Sequence, residues 1–95
     1  MIPDHVEAIL LWSEQGAAPE VAAWFEARGL QVAAMRQGLI LSGPRSRFEA
    51  IFALELERLD PPVSLAVPAP LRGQVSAISI PNPRRYSGAG GDPQP

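Results

Sequence analysis

Ninety-five residues, 46% of them hydrophobic, suffice for one small domain that hides roughly 60–65% of its unfolded surface. The net charge of −2, with arginine supplying all eight basic residues, argues against a nucleic-acid binder, which needs clustered cations to neutralise phosphates. The absence of cysteine excludes disulfides, thiolate zinc sites and cysteine nucleophiles.

The chain opens with "MIPDHVEAILLW", which lacks a basic region and is interrupted by Glu7, so it does not read as a signal peptide. No stretch approaches the ~18 apolar residues of a membrane helix. The chain as given is therefore expected to be cytoplasmic, or secreted if it belongs to a longer precursor. Residues 5–12 alternate and then run apolar, which predicts a strand buried on part of both faces. After the loop "SEQGAA", Pro19 and Glu20 suit a helix start and Gly29 a left-handed stop. Val21, Trp24, Phe25 and Arg28 share one face of that helix.

"QVAAMR" and "LILSG" predict two short strands around a Gln37-Gly38 turn. "GPRSRFEAIFALEL" then turns into a helix that starts either at Pro44 or at Ser46, where Ser46 and Glu49 have capping-box spacing. Phe48, Ile51 and Phe52 form its buried stripe, and truncation of Phe52 is expected to cost about 3–5 kcal/mol. Residues 55–60, "ELERLD", are expected to return as a strand with Leu56 and Leu59 as apolar contacts, ended by Pro61-Pro62.

This β-α-β-β-α-β order predicts an α+β, ferredoxin-like fold: a four-stranded antiparallel sheet with two helices on one face. Eight of the eleven prolines lie between 61 and 95. Residues 67–80 have room for a short helix near 70–77, and the domain is expected to span 1–80 with a flexible Pro/Gly-rich tail over 81–95.

Catalytic chemistry finds no foothold. His5 is the lone histidine and has no second ligand at metal spacing. None of the seven serines sits in a G-x-S-x-G elbow, and "SGAGG" lacks the lysine of a phosphate loop. The middle strands carry no aromatic for stacking RNA bases. No enzyme activity, cofactor or metal is expected.

Three segments in order, "WFEARGLQV" (24–32), "LILSGPRSRFEAIFALELERL" (39–59) and "VPAPLRGQVSAISI" (67–80), resemble the activation prodomain of sedolisins, the kumamolisin-like serine-carboxyl peptidases. Gly43 and Phe52 hold that family's glycine-to-phenylalanine spacing, and Pro68, Leu71 and Val75 match its P-x-x-L-x-x-x-V ending. The likeness covers roughly residues 5–80, with a shorter loop before the Trp-bearing helix than the family usually has. The peptidase that follows such prodomains has no counterpart in these 95 residues. The resemblance implies a module that docks on a peptidase, blocks it and assists its folding, here acting in trans as an inhibitor or chaperone.

The strand pattern points to a surface for that role. Val6, Ala8, Leu10 and Trp12 face one way; His5, Glu7, Ile9 and Leu11 face the other, as Ala33 and Met35 oppose Val32 and Ala34, and Ile40 opposes Leu39 and Leu41. With helices on one face only, half of this apolar set meets solvent, which marks a partner surface. Ile9, Leu11, Met35 and Ile40 are the candidate protein-binding residues. Arg84, Arg85 and Tyr86 join them, because in the family the segment after the domain threads the peptidase cleft. The alternative is a structural or adaptor module that forms a homo-oligomer through the same open face. Neither reading involves nucleic acid or a membrane.

Overall fold

In the computed structural model, which describes residues 2–14 and 18–81, eight short elements follow one another. They are β1 (His5–Trp12), α1 (Pro19–Glu26), β2 (Gln31–Met35), β3 (Gly38–Pro44), α2 (Arg45–Phe52), β4 (Val63–Leu65), a 3-10 turn (Ala69–Leu71) and β5 (Val75–Ile80). The strands form one antiparallel sheet in the order β2-β3-β1-β5-β4. The architecture is therefore α+β with two helices and an antiparallel sheet, but of five strands rather than the expected four.

Local chemistry accounts for the helix ends. Pro19 opens α1, where its missing N–H costs nothing. Gly29, at φ +96°, ends the turn that follows, and the Leu30 amide donates back to the Phe25 carbonyl at 3.2 Å. In α2, Ala53 takes the left-handed position (φ 57°, ψ 45°), with the Leu54 amide donating to the Glu49 carbonyl. Pro44 is the residue before α2, so the helix starts at the earlier of the two expected places. The Ser46–Glu49 capping box does not form; the Glu49 carboxylate instead accepts the Leu56 amide at 2.8 Å.

That bond explains why 55–60 is not a strand. Leu56 is pinned beneath α2 and fully buried, Leu59 donates its amide to the Leu56 carbonyl in a turn, and Leu59 itself is exposed. The place beside β1 goes to β5, within the segment expected to hold a short helix near 70–77. Only residues 69–71 are helical there, as a single 3-10 turn. Val75, Ile78 and Ile80 are buried, and the irregular pairing between Leu11 and Trp12 accommodates the spacing of three between the first two.

Both helices lie over the same side of the sheet. Phe25 of α1 and Phe48 of α2 are wholly buried in one core with Val6, Ala8 and Leu10 of β1 and Leu39 and Leu41 of β3. Phe52 stacks on both rings, at centroid distances of 6.4 Å to Phe25 and 6.3 Å to Phe48, but is only half-buried at the margin. Trp24 lies at the edge as well, and Arg28 covers it with the guanidinium 3.6 Å from the ring centroid. The core is thus closed by Phe48 rather than Phe52. Phe48→Ala is expected to cost about 3–5 kcal/mol and Phe52→Ala about half of that. Urea unfolding of the two variants measures both; equal losses would place Phe52 in the core.

Candidate protein-binding face

The site follows from the pleat of β1. Val6, Ala8 and Leu10 are at most 2% exposed, whereas Leu11 is 37% exposed and Ile9 intermediate. Alternate residues of one strand thus see a closed core and an uncovered surface. Register carries the pattern across the sheet. Ile9 lies opposite Ile40 of β3, which lies opposite Ala33 of β2; on its other side Ile9 meets Ser79 of β5. One row along, Leu11 lies opposite Gly38, which faces Met35, and on its other side opposite Ala77. The four sheet residues singled out from the sequence, Ile9, Leu11, Met35 and Ile40, therefore share the face away from the helices.

Three of them, Ile9, Met35 and Ile40, also line a groove of about 410 Å³. Ile2, Pro3, Val6, Pro61, Ile80 and Pro81 add to its apolar lining, and among the described residues His5 and Glu7 are the titratable ones there. Leu11 does not line it but stands beside it on the same surface. Arg84, Arg85 and Tyr86 lie outside the described residues.

The lining contributed by Ile2 and Pro3 is held in place by Arg45, for which the sequence alone predicts no role. The Arg45 guanidinium donates to the Ile2 carbonyl at 2.9 Å and meets Asp4 at 3.3 Å, Glu49 at 3.8 Å and Glu57 at 3.9 Å. Its backbone amide donates to the Asp4 carbonyl at 2.6 Å, and the Ile2 amide donates to the Glu57 carbonyl at 3.3 Å. Arg45 thereby ties the N-terminal segment, α2 and the following turn into one rim. The signal available was the i,i+4 spacing of Arg45 and Glu49.

Chemically, the surface is largely apolar, with His5 and Glu7 at the groove. Among the described residues no group of three or more His, Cys, Asp or Glu side chains is placed to hold a metal ion. No described helix is long and apolar enough to cross a membrane.

Fold and face together define a small α+β domain with one closed and one open sheet surface. In comparisons, the chain matches no protein-family description, no curated protein and no solved structure.

Proposed function

We propose that this chain is a non-catalytic protein-binding module whose open sheet face docks on a peptidase of the sedolisin or subtilisin kind, as inhibitor or folding chaperone. One observation carries the reading: a contiguous apolar set, Ile9, Leu11, Met35 and Ile40, lies partly exposed on the sheet face away from the one that packs against the helices. Desolvation of such a set drives association. The resemblance of residues 24–32, 39–59 and 67–80 to sedolisin prodomains supplies the class of partner, and the ferredoxin-like topology belongs to that same proposal. Within the sheet, the order β2-β3-β1-β5 fits it, with β4 added outside.

The spacing behind the resemblance has a packing role in this fold. Gly43 is buried against Leu30, where an added Cβ would stand 2.8 Å from the Leu30 Cδ2 atom. Pro68 precedes the 3-10 turn, and Leu71 and Val75 are both buried in the core.

The test is kinetic. A sedolisin-like peptidase freed of its own prodomain is assayed with increasing amounts of this chain, and separately refolded from denaturant with and without it. Saturable inhibition, or a raised yield of active peptidase, is the expected outcome. A folded chain that does neither refutes the peptidase reading. A dimer that buries Leu11 in that chain would favour the self-associating adaptor instead.

A further inference from the structure

The two edges of the sheet are built differently. β4 is three residues long, follows Pro61-Pro62 and is followed by Pro68, devices that blunt an edge against pairing. β2, at the opposite edge, has five residues, Gln31 to Met35, without a charge, a proline or a bulge. We propose that β2 pairs antiparallel with β2 of a second copy of this chain, an interaction separate from the open face described above.

The register makes the edge self-complementary. Met35 and Gly38 flank the two-residue turn Arg36-Gln37 and form the hydrogen-bonded pair that closes it. Alternation then turns Gln31 and Ala33 toward β3 and directs the N–H and C=O groups of Val32 and Ala34 outward. A twofold axis through Ala33 sets each outward Val32 opposite the outward Ala34 of the second copy, so that each pair exchanges two backbone hydrogen bonds. The two Ala33 residues then face each other as a non-hydrogen-bonded pair, where Cα atoms approach to about 4.5 Å. The small Ala33 side chains fit that close approach without a clash, and Ala33 and Ala34 are both exposed. The facing pairs Gln31 with Met35 and Val32 with Ala34 contain no like charges. An isologous contact of this kind closes on itself as a dimer rather than a fibre.

Sedimentation velocity on the full chain, at a concentration on the order of 100 µM suited to a weak interface, tests this. A dimer is expected. Ala34→Pro removes one outward N–H from each copy, two hydrogen bonds across the axis, and leaves the bonds to β3 intact, so it should weaken the dimer about tenfold or more, while the chain stays folded. Should the proline variant fail to fold, Ala33→Lys sets like charges across the axis and should weaken the dimer by a similar factor. Leu11→Asp should leave the dimer unchanged, which separates edge pairing from association through the open face. A wild-type monomer at that concentration overturns the proposal, as does a dimer that both edge variants leave intact or that Leu11→Asp dissolves.

Discussion

Gly38→Ala is expected to destabilise the domain by about 3 kcal/mol or more, at or beyond the upper end of overpacking. A Cβ at Gly38 would stand 1.6 Å from the Leu10 carbonyl oxygen and 2.7 Å from its carbon. Those are backbone atoms of the strand at the centre of the sheet, so no side-chain rotation relieves the overlap. Either β3 moves away from β1 at this point or the chain end of β3 unpairs. Each route disturbs the neighbouring bond from the Trp12 amide to the Gln37 carbonyl at 3.0 Å. In a domain of this size the loss corresponds to a fall in Tm of roughly 12–24 °C, read by calorimetry or circular dichroism. At Gly73 an added Cβ meets nothing within 4 Å, so Gly73→Ala serves as the control and should change Tm little.

The second large effect is a contrast between neighbours. Leu10 is fully buried and lies opposite Leu39 and Ile78, while Leu11, one residue on, is 37% exposed. Leu10→Asp places a carboxylate in the core without a partner, at a cost of several kcal/mol, and is expected to unfold a domain with a total stability of about 5–15 kcal/mol. Leu11→Asp leaves its carboxylate in water and should change stability by about 1 kcal/mol or less. Denaturant unfolding of the two variants measures the difference. Equal destabilisation would mean that both faces of β1 are closed.

The sequence makes the faces of the sheet legible because the strand period of two leaves little ambiguity. Val6, Ala8 and Leu10 alternate with Glu7, Ile9 and Leu11, and a slip of one residue would have exchanged them all. The ends of α1 are legible from Pro19 and Gly29, whose backbone preferences are local. The fourth strand was not, because its fate depends on a contact seven residues away. Glu49 captures the Leu56 amide, and the spacing of three between Leu56 and Leu59 suits a turn better than a strand. β5 was hidden by the prolines around it and by the irregular register at its start. Helix periodicity places Phe52 on the buried stripe with Phe48 and Ile51 but gives the face and not the depth; Phe48, one turn earlier, lies deeper. The role of Arg45 leaves little trace in the sequence because three of its partners, Ile2, Asp4 and Glu57, come from segments far apart in the chain or outside its helix.

The central claim is that the uncovered face of the sheet is a docking surface. Titration calorimetry of the wild type and of Leu11→Asp against a sedolisin-like peptidase lacking its own prodomain tests it most directly, with each chain's unfolding recorded alongside. The account predicts saturable binding by the wild type, and at least about tenfold weaker binding by a Leu11→Asp variant that still unfolds cooperatively, since the new carboxylate must be desolvated in the interface. Equal binding by the two folded chains, or no binding by the wild type, would contradict it.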